Sequence, residues 1–235
     1  SILVTLGGVR MRRLLFVAVL AGLAAAPNLC AAATMQRQSG TIVGYKSTDH
    51  LLTIKTDKGT VEKITLLSNA RIIANKKATV ADIKKGDFVA SAAMKAPDGK
   101  LYAQEMRIFP SSMRGLGEGQ YPMSMPHQSM TNATVIETRG VSASGKSGTL
   151  ELTFHGTKIV NGKCEGHASA PGKGTCVGKT AIIVRPGIPV TYWIVGNTSW
   201  LKPGLQVRLF VSSGAKGRLV SPGVVVEHNG VVPHI

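Results

Sequence analysis

The chain is 235 residues long and carries 28 Lys and Arg against 12 Asp and Glu, a formal charge of +16. Its composition, 43% hydrophobic and 17% charged with three cysteines, excludes a disordered chain and a disulfide-dense miniprotein. A single long apolar run excludes a multi-span membrane protein and leaves one or two folded domains with a basic surface.

The apolar run comes first. Met11, Arg12 and Arg13 precede the apolar residues 14–26, Pro27 breaks the run, and Ala31, Ala32 and Ala33 offer a small-residue cleavage site. A basic start, a short apolar core and such an end predict a secretory signal peptide, with residues 1–10 an upstream extension of the reading frame. A helix over residues 14–26 would span about 20 Å, short of a hydrocarbon core of about 30 Å. The rival readings are an uncleaved anchor and a lipoprotein modified at Cys30, against which Leu29 stands. Cleavage after Ala33 removes three arginines and leaves 25 bases against 12 acids.

Short strands follow. Residues 40–45 read as a first strand, and residues 51–56 alternate apolar and polar as a half-buried strand does. Asp57, Lys58 and Gly59 form a turn, and residues 60–66 return as the next strand, followed by a brief extended piece at 71–73. Thr79 can cap one helical turn that contains Asp82 and ends at Gly86. Residues 87–95 and 101–109 are strands around the turn Pro97-Asp-Gly99. The second half repeats this order. Strands fall at 134–138, 149–155, 180–184 and 191–195. Leu201-Lys-Pro-Gly204 matches residues 83–86, residues 206–212 match 88–95, and 219–227 close the module. The predicted fold is all-β, two tandem small OB-like β-barrels over residues 34–109 and 130–235, each with one short helical turn. A Met-, Pro- and Gly-rich linker over 110–129 joins them, and the second module carries a cysteine-bearing insertion at 159–178.

Gly40-Thr-Ile-Val, Leu52-Thr-Ile-Lys, Ala81-Asp-Ile-Lys-Lys-Gly-Asp87 and Pro97-Asp-Gly99 together resemble a widespread bacterial family of small extracytoplasmic β-barrel domains of unknown function. The link Ile108-Phe-Pro with Met113-Arg-Gly-Leu-Gly-Glu-Gly119, then Met130-Thr-Asn-Ala-Thr-Val135 and Leu201-Lys-Pro-Gly204, is similar to a two-module proteobacterial group of exported proteins. The resemblance covers residues 34–232 and implies a fold and an export route, not an activity. Some members carry the label "metal ABC transporter permease". A permease needs several spans of about 20 apolar residues, and the chain after residue 33 has none.

Candidate chemistry is sparse. Cys164 and Cys176 form an even pair, and in an oxidising compartment such a pair forms a disulfide. The alternative is a metal site of Cys164, His167 and Cys176, one ligand short of a structural zinc site. Met123, Met125, His127 and Met130 place soft thioether and imidazole ligands in one short stretch, which suits Cu(I). The same stretch reads otherwise as a plain linker. Gly115-Leu-Gly-Glu-Gly119 lacks a following helix to present amides to a phosphate and reads as flexible. The histidines are scattered, and neither Gly-x-Ser-x-Gly nor His-Glu-x-x-His occurs.

Bases exceed acids by 13 to 7 over residues 34–109 and by 11 to 4 over 130–235, a diffuse excess without a basic tail. It points to acidic envelope components or an anionic membrane surface. Few aromatics and export argue against nucleic acid, with Tyr192, Trp193 and Trp200 the residues to test. The functional expectation is an exported, periplasmic or secreted, non-enzymatic binding or envelope-associated protein whose ligand is not legible. The alternative is a periplasmic copper-binding protein that uses the linker. No other cofactor is expected.

Overall fold

The computed structural model describes residues 35–141 and 147–233. The leader expected over residues 1–33, with its anchor and Cys30 alternatives, lies outside the described residues. The strands of the first half are β1 (Gln36–Lys46), β2 (Leu51–Thr56), β3 (Val61–Ala78), β4 (Phe88–Lys95) and β5 (Leu101–Ile108). β6 (Gly119–Pro122) lies in the link. The second half holds β7 (Gln128–Arg139), β8 (Gly148–Gly156), β9 (Lys158–Val160), β10 (Lys163–His167) and β11 (Cys176–Val184). It ends with β12 (Val190–Val195), β13 (Gln206–Ser213) and β14 (Leu219–Val226). The helical elements among the described residues are short 3-10 turns, and no helix there is long and apolar enough to cross a membrane.

Strand alternation builds two cores. In β2, Leu52, Ile54 and Thr56 are buried between more exposed neighbours, as period-two geometry requires. Leu52 and Ile54 join Ile42 and Ile64 with Val207, Leu209, Val224 and Val226 from the far end of the chain. In β8, Leu150, Leu152 and Phe154 alternate inward and meet Val89, Met106, Ala133, Val135 and Ile182. Full burial of a Leu, Ile, Val or Phe side chain contributes about 1.5–3 kcal/mol, so these two clusters dominate stability.

The pairing gives a closed five-stranded barrel and a second circuit. β1, β2 and β3 form an antiparallel meander, β13 pairs antiparallel with β1, and β14 closes the barrel between β13 and β3, parallel to β3. β4 lies between β5 and β7, β7 pairs with β8, and β8 with β11. A parallel contact of β11 with β5, through Ile182 and Ile183, completes that circuit.

Each set therefore draws strands from both sequence segments. The expected layout, one barrel from 34–109 followed by another from 130–235, is not the layout of the pairing. The repeat itself is present: β7 and β8 stand where β1 and β2 stand, and β13 and β14 correspond to β4 and β5. The closing hairpins are exchanged between the repeats. A period-two pattern decides which face of a strand turns inward, and two hairpins of similar pattern satisfy either site. The linker expectation changes as well. Residues 111–113 form a 3-10 turn with Met113 buried, and β6 pairs with both β7 and β10, so the link is part of the sheet.

The expected helical turn forms at Val80–Asp82, where Asp82 Oδ2 accepts from the Thr79 N–H at 2.7 Å and from the Thr79 hydroxyl at 2.9 Å. Its counterpart, Thr198–Trp200, is capped by Asn197, whose Oδ1 accepts from the Ser199 N–H at 2.9 Å. Between the two sets β12 pairs with β3 on one side and β5 on the other. Phe88 and Phe109 pack at 5.2 Å, Trp193 meets Phe109 edge-on at 4.9 Å, and the Arg107 guanidinium lies 4.7 Å from the Trp193 ring centroid. Burial pushes the Arg107 pKa down, against the pull of Glu105 at 3.2 Å.

The exchange is testable. Arg37 and Phe210 are opposite one another on β1 and β13. In the variant Arg37→Cys with Phe210→Cys, oxidation should give an intramolecular cross-link between these two positions, mapped by digestion and mass spectrometry. A layout of consecutive barrels predicts no such link.

Candidate functional site

A groove of about 1310 Å³ lies on the second circuit. Residues 177–181 of β11 form one side. The β6–β7 hairpin, residues 120–129, and the tip and second strand of the β9–β10 hairpin, residues 160–165, form its walls. Lys95 and the β4–β5 turn close one end.

The β9–β10 hairpin turns on Asn161 and Gly162, both at positive φ (49° and 75°). Asn-Gly is the pair that a tight hairpin of this kind favours, because both central residues need left-handed backbone. Cys164 on β10 is buried in the second core and joined to Cys176 at the start of β11. The expected disulfide is thus present, and it ties the hairpin to β11. The alternative metal site loses both thiols. His167 turns its Nδ1 toward the Ala168 carbonyl at 3.3 Å and its ring toward Tyr121. Among the described residues no cluster of three His, Cys, Asp or Glu side chains is placed to hold a metal.

The second anchor is Glu118. Its side chain is buried, and Oε1 accepts from the His155 N–H at 3.0 Å and from His155 Nδ1 at 2.9 Å. Oε2 accepts from the Gly172 N–H at 3.0 Å, while the Glu118 carbonyl accepts from the Ala168 N–H at 2.8 Å. Burial pushes the Glu118 pKa up, but the hydrogen bonds from Gly172 and His155 outweigh it and hold the carboxyl below its ordinary value. The segment read as a flexible glycine link is therefore a latch. Gly119, at φ +145°, passes so close to β10 that a Cβ would lie 2.0 Å from the Gly166 carbonyl oxygen, which only glycine permits.

The four soft residues of the link fall in two settings. Met123, Met125 and His127 share the tip of the β6–β7 hairpin at the groove, with Met125 exposed. Met130 packs against the buried cluster of Phe88, Phe109 and Met113. The aromatics singled out for base stacking are engaged elsewhere. Trp193 packs on Phe109 and Arg107, Tyr192 donates to the Asp82 carbonyl at 3.3 Å, and Trp200 stacks on His228 at 3.9 Å.

Charge is what the groove concentrates. Lys95, Lys100, Lys163 and Lys179 line it, and among the described residues none makes an ion pair. Among the described residues Glu165 is the single carboxylate residue on its walls. Sequence reasoning missed this grouping because the four lysines belong to three separate segments, the β4–β5 hairpin, the β9–β10 hairpin and β11. It also missed Glu118, and passed over Asn161-Gly162, the local signal for the hairpin.

Compared with protein-family models, with curated proteins and with solved structures, the chain has no match.

Two outcomes check the anchors. Replacing Cys164 and Cys176 by Ser should lower unfolding free energy by about 3 kcal/mol, as expected for a loop of this size, in urea denaturation. The unreduced protein should take up no alkylating reagent at either cysteine. Glu118→Gln should cost about 1–3 kcal/mol at neutral pH by leaving buried donors unmatched. Because the folded pKa of Glu118 is depressed, its contribution is present above the unfolded value of about 4.3 and lost as pH falls through the folded value. The stability gap between wild type and variant should therefore shrink in acid.

Proposed function

We propose that the protein is an exported, non-enzymatic binding module whose basic groove takes up an acidic component of the cell envelope. The observation that carries this reading is the convergence of Lys95, Lys100, Lys163 and Lys179, without ion pairs among the described residues, on one groove. A groove walled by two hairpins suits a chain-like ligand better than a flat bilayer. In this reading each five-strand circuit, with its 3-10 turn, is an OB-like barrel, a fold whose grooves hold chain-like polymers. The disulfide supports a periplasmic or otherwise oxidising compartment, and the likeness to exported two-module β-barrel proteins agrees with it. The absence of an enzymatic role is supported by the His155–Glu118 pair, whose carboxylate is already occupied by backbone N–H groups.

Retention of the protein on an immobilised acidic polysaccharide should fall as salt rises, since exposed charges are screened over about 8–10 Å. Lys95→Ala, Lys163→Ala and Lys179→Ala together should elute at clearly lower salt than wild type. The same loss of charge at Lys55, Lys58 and Lys63, exposed on the first barrel, should leave elution near the wild-type position. Equal effects of the two triple variants would reduce the site to diffuse charge.

A second reading is favoured by one observation, the shared hairpin tip of Met123, Met125 and His127. These residues would hold Cu(I) without Met130. Met123→Leu with Met125→Leu should then abolish stoichiometric Cu(I) binding and leave polymer retention intact.

A further inference from the structure

Strand β11 is paired along its whole length on one edge only. Its register with β8 runs from Cys176 opposite Gly156 to Val184 opposite Gly148. On the other edge β5 meets it at Ile182 and Ile183. Residues 176–181 therefore have an edge without a strand partner among the described residues.

That edge faces the groove. Val177, Gly178, Lys179, Thr180 and Ala181 all line it. Successive side chains of a strand point to opposite faces, so consecutive residues reach one cavity only along the strand's edge. Gly178 is the clearest case. It has backbone alone to offer, and the Phe154 ring already fills the place where its Cβ would stand.

We infer that the groove receives an extended acidic peptide segment of a partner protein, which adds as a strand to the open edge of β11. The inference rests on the groove reading above and names its ligand. Six residues of edge run about 20 Å, enough for the main-chain ladder by which peptides join sheet edges. The groove's volume of about 1310 Å³ exceeds the roughly 300–1,000 Å³ usual for small-molecule sites. Charge selects the peptide. A lone lysine on an edge strand guards against self-pairing, and Lys179 alone would do that. Lys95, Lys100 and Lys163 come from other segments and surround the same edge, which a guard does not require.

The test uses the full chain and a labelled hexapeptide of alternating Glu and Val. Two analogues carry N-methyl groups at the odd or at the even positions, so charge is unchanged and one row of N–H donors is lost in each. Fluorescence anisotropy should show binding of the parent peptide and a loss of at least about tenfold in one analogue, as expected when a row of backbone hydrogen bonds is removed. Amide hydrogen exchange should slow within residues 177–181 when the parent peptide binds. Equal binding of both analogues, or unchanged exchange over 177–181, overturns the inference. If polygalacturonate or anionic vesicles bind in a manner that needs the groove lysines while the peptide does not, strand addition fails and the groove reading stands. If no probe depends on those lysines, both fail.

Discussion

Ile42 in β1 and Val135 in β7 occupy equivalent places, and each is held by the turn of the opposite repeat. The Gly86 N–H donates to the Val135 carbonyl at 2.8 Å, and the Val135 N–H donates to the Asp87 carbonyl at 2.8 Å. At the other end the Gly204 N–H donates to the Ile42 carbonyl at 2.9 Å, and the Ile42 N–H to the Leu205 carbonyl at 2.9 Å. The same residues therefore make the same bonds twice, across the exchange. Each turn delivers its closing hairpin to the partner repeat's first strand, and the register slips at the same point, beside Ile42 in β1 and beside Val135 in β7. Neither core can form from its own segment as paired. Val207, Leu209, Val224 and Val226 complete the first core, and Val89, Ala93, Met106 and Ile108 complete the second. This long-range dependence couples the halves into one cooperative body.

The groove is a consequence of that exchange. In the first barrel β14 runs beside β3 over an extended register, from Leu219 opposite Ile64 to Val226 opposite Ala74. In the second circuit the equivalent parallel contact, β5 with β11, stops after two residues. The far end of β5 is taken instead by β12, through Met106, Arg107 and Ile108. One strand cannot hold both neighbours at one place, so β11 is left with an edge that has no strand partner among the described residues. The exchange also carries Lys95 and Lys100, from the first half of the sequence, to the end of a groove whose other walls come from the link and the second half. The insertion supplies the remaining wall, pinned by its disulfide and by the bonds of Glu118.

Much of this fold is legible in the residues, and the unread part has a definable cause. The alternation in residues 51–56 and 149–155 shows which side chains turn inward, and Thr79 with Asp82 announces the helical turn. Those signals are local. The choice of neighbour is not, because residues 88–95 and 206–212 present similar patterns and either can lie against a first strand. The pairing of Cys164 with Cys176 follows from their number and setting. Glu118 was hidden by its neighbours: three flanking glycines suggest freedom, whereas here glycine permits close approach and an acid is buried among amide donors. The Met and His residues of the link show a different limit of local reading. Nearness in sequence suggested one ligand set, but along a strand successive side chains face opposite ways, and Met130 is drawn into the apolar cluster.

Charge shows why a count along the chain understates a surface. The bases are spread evenly over the two segments, yet four of them converge because three hairpins and strands distant in sequence converge. At the surface, like charges near 4 Å repel by about 1 kcal/mol in bulk water, and salt reduces this within about 8–10 Å, so the fold can tolerate the grouping at small cost. Lys163 stands on a hairpin fixed by the Cys164–Cys176 bond and a left-handed turn, and Lys179 on a strand held along its full length by β8. The backbone that presents these charges is ordered before any ligand arrives, which removes part of the ordering cost of binding. A basic groove beside a strand edge that has no strand partner among the described residues fits the proposed peptide, which brings both negative charge and a free backbone.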